Sequence, residues 1–220
     1  MHFLILGYGR FGQLALNRLK QTFPSAHFTI VDRQSDRLAR IPMTSVRTLR
    51  MDGLVGLKSE FSDMGPDDWI IPAIPVHVAY EWMVQCFKET HHIEVLDVPG
   101  EILEQVPHPI RGENKAVYSS IADFICPEDC QEPESICSCT GKPRPIVLND
   151  ALANLKHRLF QPIVMYSRQL APGVGGYRIS DLNSALTAII ENSGPYLLAT
   201  ACKCHGVMHV FRLIPIRGRI

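Results

Sequence analysis

Two groups of residues have the types and spacing that chemistry could use. The first is Gly7, Gly9 and Gly12, at Gly-x-Gly-x-x-Gly spacing within MHFLILGYGRFG. Such spacing serves a phosphate-binding turn. Gly7 permits the tight turn, Gly9 lets backbone approach a pyrophosphate, and Gly12 lets the next helix pack close to the preceding strand. Asp32 stands 20 residues beyond Gly12, where a carboxylate at a strand end accepts hydrogen bonds from adenine-ribose hydroxyls and repels a 2′-phosphate. The pattern favours NAD(H) over NADP(H). The alternative is a glycine-rich turn in an α/β unit that binds no nucleotide.

The second group is thiol-rich. The stretch ICPEDCQEPESICSCT places Cys126, Cys130, Cys137 and Cys139 within 14 positions, and Cys202, Cys204 and His205 follow later as Cys-x-Cys-His. Thiolates this dense repel one another and oxidise unless a cation holds them, and a proline-broken loop has no core to order it. A bound metal answers both problems. Two short clusters, each giving about two ligands, is how structural zinc sites are built, and ligation of an iron–sulfur cluster by four cysteines is the close competitor. A thiol redox pair and unligated thiols stay open, because none of the spacings is Cys-x-x-Cys. The expectation is that Cys126, Cys130 and Cys137 meet Cys202, Cys204 and His205 around one ion or cluster. Cys139, one residue from Cys137, is the first to drop. Cys86 reads as a small buried apolar residue.

These residues need elements to hold them. Phe3 to Leu6 is a continuous apolar run suited to a parallel strand covered on both faces. A helix follows with Phe11, Leu14, Ala15 and Leu19 on one face, then a strand from His27 to Val31 that ends on Asp32. A short helix over Ser35 to Arg40, a third strand over Ser45 to Arg50, a fourth after Asp67-Asp68, a helix carrying Val76, Ala79, Trp82, Met83 and Phe87, and a fifth strand over Ile93 to Val98 complete one unit. His77, just past the fourth strand, is the first candidate for proton transfer if hydride chemistry occurs, and otherwise a solvated histidine in a first helical turn.

From Met1 to about Val98 the sequence resembles the N-terminal domain of the TrkA/RCK group, the NAD-binding regulators of potassium uptake and conductance. The resemblance is carried by Gly7-Tyr8-Gly9-Arg10-Phe11-Gly12, by Ile30-Val31-Asp32-Arg33, and by Asp52-Gly53 after the third strand. It implies cofactor contacts at Gly7, Tyr8, Gly9, Arg10, Phe11, Gly12, Asp32, Arg33 and Asp52. It also implies a role in potassium transport beside a membrane transporter or other protein partner.

Beyond Glu101, six prolines from Pro107 to Pro145 interrupt periodicity. Regular structure resumes near Asn149, with a helix placing Leu152, Leu155 and Leu159 on one face and a strand over Ile163 to Tyr166. A loop over Ala171 to Gly176 comes next; its amides could bind an anion beside Arg168, or it is a plain connection. A helix carrying Leu182, Ala185, Leu186, Ile189 and Ile190 leads to two strands, Tyr196 to Ala201 and Val207 to Ile214, with the Cys202–His205 cluster at their hairpin tip.

The expected fold is α/β: a Rossmann-like parallel sheet over 1–100, a Pro/Cys-rich segment over 101–148, and a smaller α/β domain over 149–220. Lys and Arg total 22 against 22 Asp and Glu, giving a formal net charge of zero and no bulk field for nucleic acid. The apolar start, broken by Gly7 and Arg10, is neither a signal peptide nor a span, so a cytoplasmic protein without direct membrane insertion is expected, and a homo-oligomer is compatible. The expected function is an NAD(H)-binding regulator or sensor with a zinc or iron–sulfur site; the alternative is an NAD-dependent oxidoreductase carrying that site.

Overall fold

The computed structural model describes residues 1–42, 46–160, 162–192 and 194–216. Its first strands follow the apolar runs of the sequence. β1 (His2–Leu6), α1 (Arg10–Thr22), β2 (His27–Asp32), α2 (Ser35–Leu38), β3 (Val46–Arg50), α3 (Gly53–Glu60) and β4 (Trp69–Pro72) alternate along the chain, and the strands lie parallel in the order β3-β2-β1-β4. Ser45, expected to open the third strand, lies outside the described residues. Successive side chains of a strand face opposite ways. Thus Phe3 and Ile5 pack with Ala15, Leu16 and Leu19 of α1, whereas Leu4 and Leu6 pack with Leu57 of α3. The helix after β1 covers one face and the helix before β4 covers the other, and the two strands stay joined to their C-terminal ends, where the Ala73 amide donates to Leu6 O at 2.9 Å. Phe11 is 61% exposed, and Leu16 takes the place expected for it on the buried face.

The next strand departs from expectation. After α4 (Val78–Phe87), β5 (His91–Leu96) does not extend this sheet. Its sequence HHIEVL has no continuous apolar run, and none of its residues is fully buried, which fits poorly between two helical layers. The chain continues through α5 (Gly100–Leu103), β6 (Ile110–Arg111), β7 (Val117–Ser120), α6 (Leu148–Ala153), β8 (Pro162–Tyr166), β9 (Arg168–Ala171), β10 (Val174–Arg178), α7 (Ile179–Glu191), β11 (Tyr196–Ala201) and β12 (His205–Pro215). β10 takes the place beside β4, antiparallel, with Tyr177 opposite Ile70 and Arg178 opposite Trp69. The expected Ala171–Gly176 loop is therefore a hairpin turning at Pro172-Gly173, and Gly176 lies inside a strand. A Cβ there would stand 2.6 Å from Ile71 Cδ1 and 2.8 Å from the Ile70 carbonyl oxygen, so the close approach of β10 to β4 requires glycine.

β5 joins a second sheet ordered β6-β7-β12-β11-β8, pairing with the C-terminal half of β12 while β7 pairs with its N-terminal half. The molecule is an α/β fold of two mixed sheets. The first sheet, expected to be parallel, is mixed, because the β9–β10 hairpin from late in the chain joins it antiparallel beside β4. α4 and α7 lie between the sheets and share one core with Ile70 and Tyr177 of the first and Met165, Leu198 and Phe211 of the second. The outer face of the second sheet packs on Ile102 of α5 and on Leu148 and Leu152 of α6. Leu159 and Ile190, expected on buried helical faces, are exposed. Among the described residues no helix is long and apolar enough to cross a membrane.

Candidate functional site

The glycine turn is built as its spacing requires. Gly7 adopts φ +95°, in the left-handed region, and its amide donates to Val31 O at 2.7 Å. A Cβ on Gly12 would stand 2.9 Å from the Gly7 carbonyl carbon and nearer still to its oxygen, so α1 sits against the turn with no room for a methyl group. A Cβ on Gly9 would meet only the tip of Arg37, at 3.6 Å. Gly9 caps α1, whose first turn has neither a side-chain cap nor an acidic residue. This start is the positive end of a 13-residue helix.

Asp32 is buried and braces the turn: Oδ2 accepts the Tyr8 amide at 2.6 Å and Oδ1 accepts the Gln34 amide at 2.8 Å. Arg37 lies 3.6 Å from the same carboxylate. Asp52 caps α3, accepting from the amides of Leu54 at 2.9 Å and Val55 at 3.2 Å, and pairs with Arg33. Burial pushes its carboxyl up, but the Val55 and Leu54 amides and the Arg33 guanidinium outweigh that and hold it below its ordinary value. An Asx cap before Leu54 and Leu57 is a helix-start signal, and α3 was findable from it.

The cysteine segment folds onto the hairpin tip. The Lys203 amide donates to Glu132 Oε1 at 2.7 Å, Lys203 Nζ pairs with Glu134, and the Ile121 amide donates to Cys204 O at 2.9 Å. Cys126 Sγ lies 3.7 Å from His205 Nε2, and Cys202 Sγ lies 3.9 Å from His205 Nδ1. Cys202 Sγ also accepts the amides of Cys204 and His205, each at 3.4 Å, and Cys130 Sγ accepts the Glu132 amide at 3.4 Å. Burial pushes the Cys126 thiol up, and the nearby Cys130, Cys204, Cys137 and Cys139 push it further. Cys202 rises to about 12 through burial and Glu132. Hydrogen bonds from the Thr140 hydroxyl and from the Thr140 and Cys139 amides instead hold Cys137 below its ordinary value. Among the described residues no three His, Cys, Asp or Glu side chains converge closely enough to hold a metal ion as they stand. Cys86, expected to be buried, is exposed: it shares the face of Trp82 and Met83 but lies in the last turn of α4.

The glycine turn and the thiols meet. Arg10 forms an ion pair with Glu128, midway between Cys126 and Cys130, and Arg18 donates to Glu128 O at 2.6 Å. The Gly173 amide and the Gln169 amide group both hold Cys130 O, at 3.0 and 2.7 Å. One cavity of about 1150 Å³ is lined by Arg10 and Phe11 of the turn, Pro72 at the end of β4, and Cys126, Cys130, Cys204 and His205.

Thr200 lines this cavity too, and a buried polar chain runs inward from it. His77 Nε2 lies 3.0 Å from Thr200 Oγ1, His77 Nδ1 lies 2.9 Å from His209 Nδ1, and Tyr80 stacks on His209 at 3.9 Å. Burial and then His209 hold His77 well below its ordinary value, and burial holds His209 near 4. His77 is thus a buried neutral residue rather than a solvated one. The sequence gives no sign of His209, whose partner stands 132 positions away.

A protein of Archaeoglobus fulgidus described as "Uncharacterized protein" is 30% identical over 220 residues, covering 93% of this chain and 96% of its own length. No solved structure matches. Residues 79–214 match the family described as AF_1314_C, "Uncharacterized protein, C-terminal domain". That segment runs from α4 into β12 and includes the thiol segment, the β9–β10 hairpin and the Cys202–His205 tip, and the chain belongs to the AF_1314_C family.

Proposed function

We propose that this chain is an NAD(H)-binding regulatory protein, with a Rossmann-like N-terminal unit holding the cofactor at the C-terminal ends of β1, β2 and β4. The observation that carries this reading is the glycine turn: Gly7 left-handed, Gly12 closed by backbone contact, and Gly9 open above the uncapped start of α1. A pyrophosphate needs such a surface. Gly7, Tyr8, Gly9, Arg10, Phe11 and Gly12 would then frame the pyrophosphate, Asp32 the ribose, and Arg33 and Asp52 the adenine side. An anion at Arg10 competes with Glu128 for the guanidinium, which would let the thiol segment respond to nucleotide. The resemblance to the TrkA/RCK group supplies the partner in this reading, a membrane potassium transporter.

Titration with NADH and NADPH, read as energy transfer from Trp69 and Trp82, tests the proposal. NADH binding tighter than NADPH, with Asp32→Ala levelling the two, is expected. Equal affinity for both in the wild type removes Asp32 from the role, and binding of neither removes the nucleotide.

An NAD-dependent oxidoreductase is the second reading, favoured by the Thr200–His77–His209 chain, which could carry a proton between the cavity and the interior. Consumption of NADH with small carbonyl compounds, lost in His77→Gln while NADH binding persists, would select it.

A further inference from the structure

One thiol and one imidazole, 79 positions apart in the chain, meet in the wall of the cavity. We propose that Cys126 and His205 form a nucleophile–base pair that hydrolyses an ester or thioester with an apolar acyl group. This goes beyond the nucleotide reading and does not depend on it. Cys126 Sγ lies 3.7 Å from His205 Nε2, within hydrogen-bonding reach of a thiol. The other ring nitrogen, Nδ1, faces Cys202 Sγ at 3.9 Å. A nucleophile beside a base, with the base oriented by a third group, is the arrangement that nucleophilic catalysis needs.

The neighbours of the ring set its tautomer. Cys202 Sγ accepts the amides of Cys204 and His205, each at 3.4 Å, and the Cys202 amide donates to His205 O at 2.9 Å, so this sulfur is a fixed acceptor for Nδ1–H. The lone pair of Nε2 is then turned to the Cys126 thiol. Cys202 is thus a positioning residue. Burial, opposed only in part by Glu132, holds His205 below its ordinary value, so the ring is neutral and free to accept a proton. Cys126, whose thiol is pushed up, keeps its proton until that base removes it.

Both groups are within a substrate's reach. Cys126 is half-buried, His205 is exposed, and the cavity they line has apolar walls at Phe11, Leu14, Ile121, Phe124, Ile125 and Val174. Phe11, Phe124 and Ile125 are exposed, and an acyl chain laid against them would take their surface out of water. As Sγ bonds to the carbonyl carbon, the thiol proton passes to Nε2. The bond from that carbon to the leaving oxygen or sulfur then breaks, and the leaving group takes the proton from Nε2. The acyl group stays on Cys126 as a thioester. Water, giving a proton to the same Nε2, attacks this thioester; the carbon–sulfur bond breaks, a carboxylic acid leaves, and Sγ regains its proton.

The experiment uses the full chain, reduced with a phosphine and held with a chelator, mixed with p-nitrophenyl acetate and p-nitrophenyl hexanoate. A burst of about one nitrophenolate per chain is expected, faster with the hexanoate and followed by steady release. Mass spectrometry of peptides from the burst should find the acyl group on Cys126 rather than on the exposed Cys86 and Cys139. Cys126→Ser should remove the burst, and His205→Gln should slow it by about 100-fold. Cys202→Ala should slow it less, and Cys202→Ser, whose hydroxyl also accepts from Nδ1–H, should restore the rate. Circular dichroism establishes that each variant is folded, and the choice of Cys126 in the wild type stands even if a variant is not. Acylation of Cys86 or Cys139 as fast as Cys126, an unchanged burst in folded His205→Gln, or release that stops with the burst would overturn the assignment.

Discussion

Placing a methyl group at each of two glycines three residues apart in the same turn, Gly9 and Gly12, should have unequal consequences. At Gly12 the added Cβ would stand 2.9 Å from the Gly7 carbonyl carbon and closer to its oxygen, and both partners are backbone, so neither can rotate aside. Overpacking of a filled interior costs about 1–3 kcal/mol, and a clash of backbone with backbone belongs at the upper end. A chain of 220 residues has an unfolding entropy of about 0.5 kcal/mol per kelvin, so about 3 kcal/mol lowers Tm by about 6 °C. At Gly9 the same methyl group meets Arg37 Nη1 at 3.6 Å, an ordinary contact, at a residue already in extended backbone with φ −73°. Gly9→Ala should stay within about 1 kcal/mol of wild type, the usual cost of replacing a helix N-cap. Thermal unfolding followed by circular dichroism distinguishes them, and NADH titration of Gly9→Val, which adds two further methyls over the turn, tests the ligand. Equal Tm losses in Gly9→Ala and Gly12→Ala would refute the packing argument; unchanged NADH affinity in a folded Gly9→Val would refute the pyrophosphate's approach.

Acid should weaken the fold through the buried histidine pair. His209 is held near 4 when folded against an ordinary 6.5, so as pH falls below 6.5 the unfolded chain takes up a proton that the folded one refuses. Stability should drop by about 2 kcal/mol between pH 7 and pH 5 from this group, and urea midpoints should show that drop shrink in His209→Phe; an equal drop in both proteins sinks the assignment. Gly173→Ala, at φ +63° and with its Cβ 2.9 Å from the Glu128 carbonyl carbon, should lift the thiol segment from the β9–β10 turn and speed modification of Cys126 and Cys130 by a thiol reagent, without disturbing Cys86. Arg10→Gln removes an ion pair whose partners are 76% and 39% exposed, so it should change stability by no more than about 1 kcal/mol, while weakening NADH binding.

What could be read from sequence was whatever is decided locally. Phe3 to Leu6, the three glycines and Asp32 specify a buried strand, a turn and a strand end within 32 residues, and the structure has β1, α1 and β2 there. The Cys202–His205 tip was legible because two apolar runs flank it. β10 was not, since Gly175-Gly176 reads as a loop until Ile70 and Ile71 of a distant strand are known to lie against it. β5 was misplaced for the same reason: its partner, the second half of β12, lies beyond residue 209. Phe11 and Ile190 have helical spacing but face solvent, because spacing defines a stripe and only the neighbours decide where it ends, and Leu159 is exposed because α6 stops at Ala153.

The insertion of β10 beside β4 also orders events during synthesis. Pro72 ends β4 and Val174 begins β10, so 102 residues separate the two partners. Until the second arrives, β4 presents an open edge carrying Ile70 and Ile71. An unpaired apolar edge is a template for another chain. At about 5–20 residues per second, translation leaves that edge uncovered for about 5–20 s. The nascent protein therefore has its greatest exposure to misassembly in that interval, and a chaperone that shields a strand edge would be most useful to it before the ribosome reaches the β9–β10 hairpin.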